Sequence, residues 1–192
     1  MANKVKFGLK GAAYAVATFA ADGTVTYGTP VMLPGSVSLS LDPQGDSEVF
    51  RADNMDYYTS QSNNGYQGDY ECAMLPDSFR ADVLKEITDQ NGLKVETVDP
   101  DTVHFAFMFQ VEGDQNAVRH VLYNCTATRP TVGSATTEET TTPQTDTIQI
   151  TAHPIEFSTL TQPVIKAKVD STVATAYNSW FTAVQTPAAP AA

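Results

Sequence analysis

The sequence predicts a mainly β protein, and three observations carry the prediction. Apolar and polar residues alternate over several short segments, which is the period of a half-buried strand. Clusters of Gly, Pro, Asp and Asn separate these segments and are typical of turns. The 192 residues include 25 threonines, 8 tyrosines and 9 phenylalanines, residue types that pleated sheets favour. The length predicts one domain over residues 1–185, and the Pro/Ala-rich end at 186–192 is expected to be frayed.

Small residues, β-branched residues and one turn signal predict the first strands. Lys6–Phe19 is expected to be a strand, and Asp22-Gly23 then predicts a hairpin with a return strand over 24–27. Serines alternate with apolar residues over 36–41, which predicts a strand with one hydroxyl face and one apolar face.

A long loop is predicted over about 42–65, because this segment has little periodicity. Loops of this length inside compact domains are usually functional or disordered. Met55, Tyr57 and Tyr58 argue against simple disorder, since such side chains are suited to burial against another surface.

A helix is predicted after the next strand, which spans 66–74. Pro76 opens it, Asp77 or Ser78 is the expected N-cap, and Asn91-Gly92 is expected to end it. The residues that would share its apolar face are Phe79, Val83, Leu84 and Ile87.

The clearest hairpin is predicted over 103–128. Two alternating segments, 103–112 and 118–128, flank a turn at Gly113–Asn116. Both faces of the pair carry apolar side chains, so we expect it to be covered on both sides.

The last third of the chain predicts a loop, two strands and a helix. A Thr-rich stretch at about 129–146 is expected to be a flexible loop. Strands are predicted over 147–152 and 164–169. A short terminal helix then bears the single tryptophan, Trp180.

The chain is acidic, and the acid is unevenly distributed. The formal net charge is −11, of which residues 42–101 alone carry −10, whereas residues 1–41 carry +2. Such a balance can serve solubility alone, or it can form a surface that repels polyanions or pairs with a basic partner. A sequence-reading DNA binder is disfavoured, because no cluster of Lys and Arg could neutralise phosphates.

The sequence gives no sign of membrane insertion or export. No apolar run approaches the roughly 20 residues that span a bilayer. The first residues make a poor signal peptide, because glycines and lysines interrupt the apolar stretch. Synthesis in the cytoplasm is therefore expected.

Motifs for catalysis, metal binding or phosphate binding are missing from the sequence, and no cofactor is predicted. The HExxH, CxxC, GxSxG and phosphate-loop patterns do not occur. Asp69 and Glu71 share one strand face, as a catalytic pair would, but two solvated acids are favoured. Asp42, Asp46 and Glu48 lack the spacing of a calcium-binding loop.

The cysteines and histidines are expected to be structural. Cys72 and Cys125 fall in predicted strands, and two buried free thiols are favoured over a disulfide in a cytoplasmic chain. His104, His120 and His153 are far apart in the sequence, which disfavours a metal site.

Several segments, taken in order, resemble the major tail proteins of long-tailed bacteriophages. The segments are Asn3–Lys10 with Tyr14-Ala15, Leu33–Leu39, Ala52-Asp53-Asn54 followed by Tyr57, Gly65–Glu71, Arg119–Cys125, and Trp180-Phe181. The resemblance covers nearly the whole chain and rests on the ordered set rather than on a single motif.

The resemblance implies a β-sandwich or partial barrel of the phage tail-tube type, with one flanking helix. Six copies would form a ring, and stacked rings would form a tube whose joined sheets surround the passing genome. The long loop would reach a neighbouring ring or protomer. Its candidate contact residues are Asp46, Phe50, Arg51, Met55, Tyr57 and Tyr58.

The same resemblance implies an anionic bore and a set of partners. Asp69, Glu71 and Glu112 are candidates for the bore, although an outward orientation is equally open. The implied partners are further copies of the chain, a tape measure protein inside, and tail terminator and distal tail proteins at the ends. DNA would pass without specific binding, and the location would be the virion tail.

Two other functions stay open from the sequence. A monomeric binding or adhesion module, such as a carbohydrate-binding sandwich, would expose an aromatic platform of Tyr57, Tyr58 and Tyr66. A small hydrolase would use carboxylates and would depend on Glu71.

Overall fold

Thirteen strands and two short helices form the regular structure of residues 3–98, 101–136 and 143–189, the part that the computed structural model describes. The strands are β1 (Lys6–Phe19), β2 (Val25–Tyr27), β3 (Val31–Met32), β4 (Ser36–Gln44), β5 (Ser47–Ala52), β6 (Met55–Gln61), β7 (Gly65–Cys72), β8 (Ile87–Thr88), β9 (Lys94–Val95), β10 (Phe105–Gly113), β11 (Val118–Ala127), β12 (Asp146–Ala152) and β13 (Lys166–Asp170). The helices are α1 (Asp77–Asp82) and α2 (Ala174–Ser179).

Nine of these strands form one antiparallel sheet, in the order β2-β1-β10-β11-β12-β7-β4, with β3 also paired to β1 and β13 to β11. Strand β11 joins the two halves: residues 118–122 pair with β13, and residues 125–127 pair with β12. Residues from both halves share one core, so the sheet folds over itself into a sandwich. The predicted mainly β fold is confirmed.

The larger core lies between the two halves of the sheet. The ring of Phe107 on β10 meets that of Tyr70 on β7 at 5.2 Å, and Ile150 of β12 packs into the same cluster. Phe79 of α1 closes one side, with its ring 5.0 Å from that of Tyr14. Burial of each such side chain stabilises the fold by about 1.5–3 kcal/mol.

A second core covers the opposite face of β1, β10 and β11. Met108 and Tyr123 pack there against Trp180, which is only 3% exposed and lies directly after α2. The guanidinium of Arg119 lies 3.8 Å from the centroid of the Tyr177 ring and fastens α2 to β11. The prediction that the central hairpin is covered on both sides is confirmed.

The helix predicted after Pro76 is shorter than expected. Helix α1 ends at Asp82, Lys85 adopts a φ of 58°, and Ile87 belongs to β8, which pairs with β9. The predicted N-caps, Asp77 and Ser78, are also wrong: Pro76 takes that position without a side-chain cap. The helical spacing of apolar residues continues to Ile87 in the sequence. Ile87 is exposed, however, so its place in that spacing does not reflect packing in the core.

A β-hairpin replaces the loop predicted over 42–65. Strands β4 and β7 stay paired as far as Gln44 and Gly65, and β5 and β6 continue outward as a two-stranded ribbon. Asp53 and Asn54, with φ of 52° and 62°, form its turn. We call residues 45–64 the arm. Its strands show little periodicity because neither face of the ribbon is buried.

Parts of two other predicted segments lie outside the described residues. These parts are 137–142 in the Thr-rich loop predicted over 129–146, and 190–192 in the predicted tail. Two contacts hold the described ends of the Thr-rich segment. Arg129 forms a 2.6 Å ion pair with Glu96, and the Thr145 hydroxyl donates a 2.6 Å hydrogen bond to Glu71.

Candidate assembly surfaces

The arm exposes a group of large apolar side chains. Phe50 is 61% exposed, Met55 64%, Tyr57 72% and Tyr58 63%. Strands β5 and β6, of six and seven residues, extend roughly 20 Å from the sandwich and carry this group. Large exposed apolar side chains gathered on one segment make the arm a candidate contact surface.

Cross-strand register sorts the predicted arm residues onto two faces. Phe50 lies directly opposite Tyr58. The next pair on the same face is Glu48 opposite Ser60. Arg51 and Asp56 form a 2.6 Å ion pair on the other face, and the register shifts between these two pairs, beside Tyr57. Asp46 lies at the root, where its amide donates a 2.9 Å hydrogen bond to the Ser62 hydroxyl.

A second surface is the outward side of strands β4, β7 and β12. Their inward residues, such as Leu39, Tyr70 and Ile148, belong to the larger core, and the alternate residues point away from it. We call these outward residues the polar face. They are Ser38, Ser40 and Asp42 on β4, Gln67, Asp69 and Glu71 on β7, and Thr147, Gln149 and Thr151 on β12.

Hydrogen bonds tie the side chains of the polar face together. The carboxylate of Glu71 accepts hydrogen bonds from the Ser38 hydroxyl at 2.8 Å and from the Thr145 hydroxyl at 2.6 Å. These bonds, with that from Thr145 the larger cause, lower the pKa of Glu71. Glu71 is therefore ionised at neutral pH.

The polar face carries negative charge without a compensating cation. Strands β4, β7 and β12 contain three outward acids, Asp42, Asp69 and Glu71, and none of these strands contains Lys or Arg. Strand β4 is also the last strand of the sheet, so one side of its backbone is open to pairing.

The structure separates the three acids that the sequence suggested for a bore. Asp69 and Glu71 lie together, but Glu112 lies on β10, where it accepts a 2.7 Å hydrogen bond from the Gln110 amide beside the second core. Asp42, which the sequence analysis considered only as a calcium ligand, joins the polar face opposite Gln67. An extension of the 36–41 alternation by one residue would have found it.

The described residues show no metal-binding cluster. No group of three or more His, Cys, Asp and Glu side chains among them could hold a metal ion. Cys72 and Cys125 are buried free thiols, and burial raises the pKa of both. His104 contacts Asn124 at 2.6 Å, whereas His120 stacks on Phe109.

The aromatic platform of an adhesion module does not form either. Tyr57 and Tyr58 lie on the arm, and Tyr66 lies at the start of β7, on the sandwich itself. Tyr66 lies eight residues after Tyr58 along the arm, a span of roughly 25 Å in extended chain.

No helix among residues 3–98, 101–136 and 143–189 is both long enough and apolar enough to cross a membrane.

These features define a β-sandwich protein with an exposed apolar arm and an acidic polar sheet face. The family model for phage tail tube proteins matches residues 2–189, and the chain belongs to that family. It is a structural protein of the bacteriophage virion, a major tail protein that self-assembles into the tail tube. A comparison with curated proteins finds no match.

Proposed function

We propose that this chain forms stacked hexameric rings in the tube of a long, non-contractile tail, and that its polar face lines the bore. The observation that supports this most is the composition of the polar face. Three neighbouring strands point hydroxyl, amide and carboxylate groups outward, with no cation among them. A wall of this kind suits the delivery of a genome.

The electrostatics of DNA explain why such a wall favours transport. Duplex DNA carries one negative charge per about 1.7 Å, and Lys or Arg on a wall would bind it by releasing counterions. Asp42, Asp69 and Glu71 repel phosphates instead, over a screening length of about 8–10 Å at physiological salt. The DNA therefore slides past the wall without a binding site to hold it.

Ring closure accounts for the open edge of the sheet. Strand β4 offers unpaired backbone groups along one side, and a strand from the next copy would satisfy them. Repetition of this contact around a ring joins the polar faces into one barrel.

Cysteine labelling tests which surface lines the bore. Cys72 and Cys125 are 1% and 0% exposed, so an introduced Asp69→Cys thiol reacts over a low background. In assembled tubes we expect a small alkylating reagent to modify it and a large polyethylene glycol maleimide to be excluded. The dissociated subunit is the control and should react with both. Equal reaction of the large reagent with tubes and with subunits would place Asp69 on the outside.

The arm is proposed to contact a neighbouring ring or protomer. To test this, residues 45–64 are replaced by Asn-Gly, which joins Gln44 to its partner Gly65 by a two-residue turn. The sandwich should keep its circular dichroism spectrum and its unreactive cysteines, while tubes no longer form. Tubes of normal length from this variant would contradict the role of the arm.

Other tail components are proposed partners of the same surfaces. A tape measure protein would occupy the bore before DNA, terminator and distal tail proteins would meet the tube ends, and the chain would be made in the host bacterial cytoplasm. A photo-reactive group attached at Asp69→Cys should cross-link the tape measure protein in virions; cross-links only to external proteins would contradict this.

A further inference from the structure

A cleft opens at the end of the sandwich where the arm begins. Its lining includes Leu41 and Tyr66, which lie next to the root of the arm on β4 and β7. The cavity has a volume of about 460 Å³ and is partly open to solvent. The apolar residues of its lining include Leu9, Leu39, Leu41, Phe109, Val111 and Leu122.

Two lysines give the lining of this cleft a positive charge. Lys6 and Lys166 line it, and the Lys166 ammonium lies 4.1 Å from the centroid of the Tyr66 ring. Within the described part of the chain, neither ammonium forms a salt bridge with a carboxylate. His120 also lines the cleft, and its pKa is lowered to about 4. Burial is the largest cause, and the positive charges of Lys166, Lys168 and Lys6 lower the pKa further.

The arm has the complementary character. Residues 45–64 contain four acids and one arginine, a net charge of −3, and Arg51 is already paired with Asp56. On one face, the Phe50–Tyr58 pair lies beside Glu48, so an aromatic pair and a carboxylate are presented together. An aromatic pair that enters an apolar pocket is the usual centre of a protein interface.

We propose that the cleft of one copy receives the Phe50–Tyr58 face of the arm of a second copy, with Glu48 near Lys6 or Lys166. The inference rests on the proposed self-assembly and identifies the surface that receives the arm. The arm does not occupy its own cleft, since Phe50 and Tyr58 stay 61% and 63% exposed. Because two different surfaces meet, the contact is heterologous and repeats from copy to copy.

Photo-cross-linking tests the contact without disturbing the fold. A benzoylphenylalanine in place of the exposed Phe50 should, in tubes, cross-link to peptides that contain Leu9, Leu39 to Leu41, Tyr66 or Lys166. The same group in place of Val132, which is 97% exposed, is the control and should not label the cleft. Cross-links from position 50 to any other surface would overturn the proposal.

Charge reversal tests the lysines of the lining. Lys166→Glu should raise the protein concentration needed for assembly by about tenfold or more, and Glu48→Lys in the same chain should restore part of the loss. Lys85→Glu makes the same charge change at an exposed site outside the cleft and should leave assembly unchanged. Equal effects of Lys166→Glu and Lys85→Glu would overturn the proposal.

The two proposals fail in different ways. If the unmodified chain forms no rings or tubes, the proposed function fails. If it forms tubes, but position 50 cross-links outside the cleft and Lys166→Glu assembles normally, only the role of the cleft fails.

Discussion

The hydroxyl of Ser38 on β4 donates a 2.8 Å hydrogen bond to the carboxylate of Glu71 on β7. After the hydrogen bond from Thr145, this bond is the second cause that lowers the pKa of Glu71, and β4, β7 and β12 contain no lysine or arginine to neutralise the carboxylate. The charge of Glu71 is therefore not neutralised within its own part of the sheet. This distinguishes the polar face from the ion pairs around α1, where Arg80 contacts both Glu86 and Asp146.

Reversal of charge on the polar face should convert a repelling wall into a binding one. Tubes assembled from Asp69→Lys/Glu71→Lys protein should retain a short labelled DNA duplex at low salt, at least about tenfold more than unmodified tubes. Retention should fall steeply as salt rises. Sedimentation of tubes with fluorescent duplex measures both.

Asp22→Lys/Asp89→Lys is the control for this experiment, because it makes the same charge change at two exposed turns. These tubes should retain no more duplex than unmodified tubes. Equal retention by the two double variants would mean that overall charge, rather than the polar face, governs contact with DNA.

Gly68 should be intolerant of any side chain. A Cβ at this position would lie 1.8 Å from the carbonyl oxygen of Ser40, so β4 would have to move away from β7. Gly68→Ala should lower the free energy of unfolding by about 1–3 kcal/mol, measured by urea denaturation. Gly133→Ala, where nothing lies within 4 Å, should change it by less than about 0.5 kcal/mol. Similar values for the two variants would contradict the close pairing of β4 and β7.

The turn of the arm should respond to its backbone conformation. Asn54 has a φ of 62°, which glycine adopts without strain and β-branched residues resist. Asn54→Gly should slow amide hydrogen exchange in β5 and β6 by about twofold, and Asn54→Val should accelerate it. The order of these exchange rates is the measurement, and its reversal would argue against the turn.

Acid should destabilise the protein partly through His120. Its pKa is near 6.5 in the unfolded chain and about 4 in the folded one, so below pH 6.5 the unfolded state binds the additional proton. The stability that neutral His120 contributes is complete above pH 6.5 and is lost as pH falls toward 4. His120→Phe keeps a flat ring against Phe109, which lies 5.0 Å away, and removes the titration.

Urea denaturation of both proteins between pH 6.5 and 4 measures this contribution. The unmodified chain should lose stability more steeply than His120→Phe, by at most about 1.4 kcal/mol per pH unit, reduced by the partial exposure of the ring. The carboxylates titrate equally in both proteins and cancel. Identical slopes would show that His120 is freely protonated in the fold.

The sequence predicted the strands that pack against other elements. Alternation is visible in β7, β10 and β12 because one side of each strand must be apolar, as Tyr70, Phe107 and Ile148 show. The Gly113–Asn116 turn was equally readable from its residues. The arm could not be predicted in this way. A ribbon that is exposed on both faces does not require apolar and polar residues to alternate, as Val49 and Thr59 show.

The surfaces were only partly predictable, because strand register decides them. Asp69 and Glu71 are two residues apart and had to share a face, but their neighbours Ser40 and Gln149 come from distant segments. Glu112 could not be separated from them by sequence alone. Its position follows from the pairing of β10 with β1, where it lies opposite Phe7.

Helical reconstruction of assembled tubes by cryo-electron microscopy would show directly which sheet face lines the bore. We expect six-membered rings whose inner wall is formed by β4, β7 and β12, with Asp69 and Glu71 facing the bore and each arm seated on another copy. A tube whose inner wall is a different sheet face, with Asp69 and Glu71 on its outer surface, would contradict it.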